Sequence, residues 1–250
     1  MTHAASLLIK ALSKSYAVGG RMRPVLSDVD LAVAPGEFVS VVGASGCGKS
    51  TLLRLIVGLD DQYDGDILVD GIPVNGIGAE RGIVFQDHRL FPWLTVAKNV
   101  ELGLDASDLP GSTKRDLVCE HIRLVRLEGF EQAYPHQLSG GMAQRAAIAR
   151  ALVNQPEILL LDEPFGALDS LTRTYLQDEL HRIRTEQGIS VVMVTHDVEE
   201  AVYLGDKVVV MAPNPGRIET TISIDLPYPR DRGDPRFAAL KRRILDRLMH

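Results

Sequence analysis

The chain has 250 residues, 45% of them hydrophobic and 24% charged, the balance of an ordinary globular protein with a sizeable core. A formal net charge of −6 and a pI near 5.6 leave no basic footprint and so argue against nucleic acid as the main partner. No apolar run approaches the roughly 18 residues of a membrane span, the amino terminus lacks a secretory pattern, and two cysteines, Cys47 and Cys119, are too few for a disulfide framework or a zinc cluster.

Residues 7–11, 25–33 and 37–42 read as short strands, separated by the turn signals Gly19-Gly20 and Pro35-Gly36. The third strand runs into a glycine-rich loop, after which 50–57 has helical character with Gly58 as its stop. Residues 66–69 and 82–85 read as further strands. From about residue 92 to 154 the pattern turns helical, with periodicity in 114–127 and 142–153. Strand character returns at 158–161 and 190–195 around a helical stretch, 170–186, the β-α-β order of a covered parallel sheet. The expectation is therefore a single domain over 1–250, in which 1–91 and 155–226 form the core and 92–154 is an inserted helical unit. Runs at 207–211 and 217–224 bracket Pro213-Asn214-Pro215-Gly216 and predict a terminal hairpin. Residues 227–250 read as a connector and a last helix, with Phe237, Leu240, Ile244 and Leu248 opposite Lys241, Arg242 and Arg247.

Gly43-Ala44-Ser45-Gly46-Cys47-Gly48-Lys49-Ser50 fits the pattern G-x-x-x-x-G-K-[ST] between an apolar strand and a helix. In such a loop the glycines let backbone N–H groups close on phosphates, Lys49 reaches the β- and γ-phosphates, and the Ser50 hydroxyl binds Mg²⁺. Thr51 completes the phosphate-binding stretch, and Cys47 reads as a small neutral side chain within it. A second anion-binding device begins at Ser139, a helix N-cap followed by Gly140 and Gly141, which leave N–H groups uncovered at the positive end of a helix. Alone, that stretch reads as an ordinary capped turn into a helix. The run 158–161 ends in Asp162, suited to holding Mg²⁺ through its water shell, and Glu163, suited to orienting or deprotonating a water. Without the glycine loop, the two acids would read as the start of a solvated loop.

These stretches, with Gln86 after 82–85, Asp169 in Gly166-Ala167-Leu168-Asp169 and His196 after 190–195, resemble the ATP-binding cassette subunits of membrane transporters along nearly the whole chain. The resemblance implies an α/β fold: a P-loop NTPase core with an antiparallel β subdomain and an inserted helical subdomain. It implies an ATPase using ATP and Mg²⁺, with Tyr16 stacking on adenine, Gln86 linking Mg²⁺ and water to the membrane partner, and His196 contacting the γ-phosphate. Read singly, Tyr16 is a strand tyrosine, Gln86 a surface amide, and His196 a helix cap or core histidine. It further implies a head-to-tail homodimer, in which Ser139 and Gly141 touch the γ-phosphate held by the other copy and Asp169 lies across the interface.

The segment 85–96 and the stretches around Ser139 and Asp162 are similar to subunits that energise uptake of aliphatic sulfonates, taurine, nitrate and related oxyanions. That likeness implies a membrane permease, a separate substrate-binding protein, peripheral placement on the cytoplasmic face of the inner membrane, and a chain too short for a carboxyl-terminal regulatory domain. His88 to Trp93 would lie near the groove that receives the permease's cytoplasmic coupling helix, unless Trp93 is a core aromatic. Two rivals stand beside this reading: a soluble ATP-driven clamp without a permease, and a P-loop kinase, which leaves 138–145 and His196 unexplained.

Overall fold

The computed structural model describes residues 4–166 and 168–249. Residues 1–3, Ala167 of the Gly166–Asp169 stretch, and His250 lie outside the described residues.

Two long strands open the chain, β1 (Leu7–Val18) and β2 (Arg21–Val33), joined by Gly19-Gly20 with φ of 58° and 76°. Both φ values are positive, as a two-residue hairpin turn matched to strand twist requires. The sequence places the end of β1 too early, at residue 11. Ala11 has φ 48°, its N–H donates to Asp30 Oδ1 at 2.9 Å, and the register with β2 shifts between Ile9 and Leu12. A bulge of this kind breaks the two-residue alternation by which strands are read. The start of β2 is hidden for a simpler reason, since Arg21, Met22, Arg23 and Pro24 are all exposed. Strand β4 (Asp64–Val69) pairs antiparallel with β1, and β5 (Ile72–Pro73) with β4, completing a four-stranded sheet.

The larger sheet has six strands in the order β10-β9-β3-β8-β7-β6. Its members are β3 (Phe38–Gly43), β6 (Arg81–Val84), β7 (Ile158–Asp162), β8 (Ser190–Thr195), β9 (Lys207–Ala212) and β10 (Arg217–Ser223). All pairs are parallel except β9 with β10, the predicted terminal hairpin. Strands β3, β7 and β8 are buried along their whole length, which is why they read as unbroken apolar runs.

Alternate side chains of this sheet belong to two cores. Phe38, Val42, Leu159, Leu161, Val191 and Met193 face a helical layer, whereas Val39, Val41, Ile158, Leu160, Val192 and Val194 face α1 (Lys49–Val57) and the four-stranded sheet. The helical layer includes α3 (Gly111–Leu124), α4 (Gly140–Leu152) and α5 (Ser170–Gln187). Two short helices, α2 (Val96–Glu101) and α6 (Val198–Leu204), were not visible as periodic patterns because each is only two turns long. Their caps were the available signal: Thr95 accepts from Lys98 N, and Asp197 from Glu199 N and Glu200 N. Helices α2, α3 and α4 all fall between the adjacent parallel strands β6 and β7.

The last helix, α7 (Pro235–Leu248), buries Phe237 and Ile244 in the main core, so its apolar face is docked. The connector before it is pinned by Arg230, 8% exposed, whose Nη1 donates to the carbonyls of Val202, Tyr203 and Gly205 at 2.7, 3.0 and 2.7 Å. These are carbonyls at the end of α6 that the helix itself leaves unpaired. Arg230→Ala is expected to cost about 3 kcal/mol by orphaning them, seen as a lower urea midpoint at unchanged slope.

Candidate functional site

Four parallel strands, β3, β8, β7 and β6, end side by side, and the residues that follow them converge. Ligands of parallel sheets bind at such carboxyl ends. After β3 the chain turns through the glycine loop into α1. Gly48, at the N-cap position, has φ 94°, and a Cβ there would stand 2.5 Å from Leu26 Cδ2. Only glycine combines that backbone with that neighbour. The resulting loop presents backbone N–H groups at a helix start, a ready anion site.

Lys49 is 7% exposed, and its Nζ donates to the carbonyls of Gly43 at 2.8 Å and Ala44 at 3.1 Å. No carboxylate pairs with it among the described residues, so its charge is free to serve an anion held by the loop. The Ser50 hydroxyl donates to Asp162 Oδ1 at 3.1 Å. Burial pushes the Asp162 carboxyl up, and the Ser50 bond opposes that. Next in the chain, Glu163 stands at φ 47°, a strained conformation for a non-glycine residue, with its N–H fixed on Val194 O at 2.9 Å. Its Oε2 accepts from Gln86 Nε2 at 3.4 Å and from His196 Nδ1 at 2.9 Å. The His196 ring is otherwise exposed.

A cleft of about 460 Å³ is lined by Val25, Ser45, Gly46, Gly48, Lys49, Ser50, Thr51, Gln86, Glu163 and His196. Ser50 and Asp162 supply hard oxygen donors of the kind Mg²⁺ prefers, and Gln86 adds an amide oxygen nearby, so the residues present fit that ion.

Other predicted residues fall outside this wall. Gly43 and Cys47 are buried beneath the loop, while Ala44 faces a separate cleft with the β9–β10 hairpin and the end of α7. The Tyr16 hydroxyl donates to Asp60 Oδ2 at 2.8 Å, and its ring lies beneath Lys14 Nζ at 4.6 Å. Burial and the Asp60 carboxylate raise the Tyr16 phenol. Ser139, Gly140 and Gly141 also lie away from the cleft. Ser139 Oγ caps α4 by accepting from Met142 N at 3.2 Å, and a Cβ on Gly141 would stand 3.1 Å from Leu168 Cδ2. The second anion device is thus exposed beside Leu168, and the chain does not fold it onto its own glycine loop.

The ABC transporter family profile matches residues 26–166. The chain belongs to the ABC transporter ATP-binding family. ATP binding and hydrolysis are the activity of this family. The chain is 48% identical over 240 residues to the aliphatic sulfonates import ATP-binding protein SsuB of Bacillus subtilis, covering 96% of this chain and 93% of that protein. It is 49% identical over 240 residues to an uncharacterized ABC transporter ATP-binding protein of Methanocaldococcus jannaschii, covering 96% and 90%. Among solved structures, a dimeric bacterial ABC transporter cassette superposes with a TM-score of 0.81 at 36% identity, over 88% of this chain and 99% of that one. A post-hydrolysis dimer bound to ADP and Pi superposes at 0.80, also at 36% identity and the same coverage.

Three features of this ABC ATPase were not legible in the sequence. Gln144 Nε2 donates to Phe85 O at 3.4 Å, and Arg150 donates to His88 O and Arg89 O at 3.0 and 2.9 Å, so α4 grips the backbone on both sides of Gln86. Asn99 is fully buried and bonds the backbone of Phe91, Leu94 and Thr95. Trp93, held out by that loop, is 69% exposed against Phe91, which removes the core-aromatic alternative. No helix of the described residues is long and apolar enough to cross a membrane.

Proposed function

We propose that this chain energises an importer of aliphatic sulfonates, working as a head-to-tail pair on the cytoplasmic face of the inner membrane beneath a permease, with a separate binding protein selecting the substrate. The observation that carries the mechanism is the meeting of Lys49, Ser50, Gln86, Glu163 and His196 at one cleft while Ser139–Gly141 stand outside it. Lys49 and the loop N–H groups hold the β- and γ-phosphates. Glu163, fixed between Gln86 and His196, takes the proton from the attacking water, and His196 contacts the γ-phosphate. Ser50, Asp162 and Gln86 would hold Mg²⁺, which would supply charge neutralisation for the phosphates when bound. Tyr16 stacks on adenine. Ser139, Gly140 and Gly141 close the cleft of the second copy, whose γ-phosphate bridges both chains and favours the closed pair.

The substrate class is supported by the printed function of the Bacillus relative and by the likeness of the 85–96 segment. The exposed Phe91–Trp93 pair, next to the backbone that carries Gln86, supports a docked permease at that groove. Reconstitution with the neighbouring permease in proteoliposomes tests the whole reading. ATPase activity is expected to rise when the binding protein is loaded with an unsubstituted alkanesulfonate and to stay basal with the aminosulfonate taurine or with nitrate. Stimulation by nitrate or taurine instead would reassign the substrate; no permease association at all would favour the soluble clamp.

A further inference from the structure

Arg173 sits in the first turn of α5 and reaches back to Leu168 and across to the start of α6. Its Nη2 donates to Leu168 O at 3.1 Å. Its Nη1 lies 3.8 Å from Asp197 Oδ2, and its Nε 3.8 Å from Glu200 Oε1. These two carboxylates build the turn that carries His196. Asp197 Oδ1 caps α6 by accepting from Glu199 N at 2.8 Å and Glu200 N at 3.3 Å. The Thr195 hydroxyl donates to Glu200 Oε2 at 2.9 Å and accepts from Asp197 N at 3.0 Å. His196 is therefore flanked by two residues locked into this arrangement, and its ring leaves the arrangement to meet Glu163.

Two carboxylates one helical turn apart repel, and Glu200 is 6% exposed, where water screens little of that repulsion. Burial raises the Glu200 carboxyl, and Arg173 opposes that. Glu199, by contrast, has its own cations in Lys241 at 2.6 Å and Arg232 at 3.4 Å. Arg173 is the cation placed against both Asp197 and Glu200.

We propose that Arg173 is a positioning residue for ATP hydrolysis: it neutralises Asp197 and Glu200 behind the 195–197 turn and, anchored on the Leu168 carbonyl, holds the His196 ring on Glu163. The inference rests on the roles given above to His196 and Glu163. It also places Leu168 and the His196 turn on one guanidinium, so displacement of either is felt by the other.

Steady-state ATPase assays on the full chain test this. Arg173→Met is expected to lower kcat about tenfold with KM for ATP little changed, the scale of a single coupled charge contact. Arg173→Lys keeps the charge and is expected to recover most of that loss. The double variant Arg173→Met with Glu200→Gln is also expected to recover most of it, because the amide still accepts from Thr195 but carries no charge. Wild-type kcat in Arg173→Met, a lysine variant as poor as the methionine one, or no recovery in the double variant would each overturn the inference. His196→Ala is measured alongside. Wild-type kcat there overturns the reading of the site itself, whereas a loss there without one in Arg173→Met overturns only the role of Arg173.

Discussion

Glu163→Gln is expected to bind ATP as the unaltered chain does while its turnover falls by roughly 10²–10⁴-fold, the range that removal of a general base produces. The substitution keeps shape and hydrogen-bonding reach, so the contacts with Gln86 and His196 can be held by the amide oxygen, but an amide cannot accept the proton of an attacking water. The neighbouring candidates are worse placed. Asp162 receives the Ser50 hydroxyl and lies under the loop, and His196 already turns its Nδ1 to Glu163. The left-handed backbone at Glu163, with φ 47°, is a further mark of a side chain aimed at some local cost. Single-turnover hydrolysis with radiolabelled ATP measures the rate, and size-exclusion chromatography in ATP reads the second consequence, a pair that stays closed because the bridging γ-phosphate is not removed. Unaltered turnover in this variant would strip Glu163 of the role.

Ser139→Arg is expected to leave ATP binding to the isolated chain intact while abolishing ATP-dependent pairing and hydrolysis. Ser139 is exposed and apart from the cleft, so an arginine there meets nothing that Lys49, Ser50 or Thr51 needs. At the proposed face between two copies, the same bulk would occupy the place of the second chain's γ-phosphate. The loss of the N-cap bond to Met142 N costs the fold about 1 kcal/mol, which a parallel melting curve separates from the loss of activity. Binding is read as the rise in melting temperature with ATP, since a ligand that binds only the folded chain stabilises it by mass action. A variant that lost this ATP-induced rise would mean that both anion devices serve one nucleotide within one chain.

Legibility in the sequence followed the range of the interactions. The Gly43–Ser50 loop, the Ser139 cap and the apolar runs of β3, β7 and β8 are built from neighbours in the chain, and each could be read where it stood. The Ala11 bulge and the extension of β1 to Val18 could not, because the bulge depends on Asp30 across the hairpin. Tyr16 was legible as a strand tyrosine, but its hydroxyl bond to Asp60 was not. Arg150, Asn99 and Arg173 look like ordinary polar residues on helices; their roles come from backbone carbonyls and carboxylates that the fold brings to them.

By itself the sequence determined the phosphate-binding chemistry, the order of the elements and the family, because loop backbone, helix caps and strand burial are encoded over a few adjacent residues. Only the tertiary structure decided that Gln86, Glu163 and His196 share one set of hydrogen bonds, that Ser139–Gly141 stand apart from the cleft, and that one arginine joins two loops. Those relations are set by the order β3-β8-β7-β6, which places residues far apart in the chain at one sheet edge, and no local pattern of side chains specifies that order.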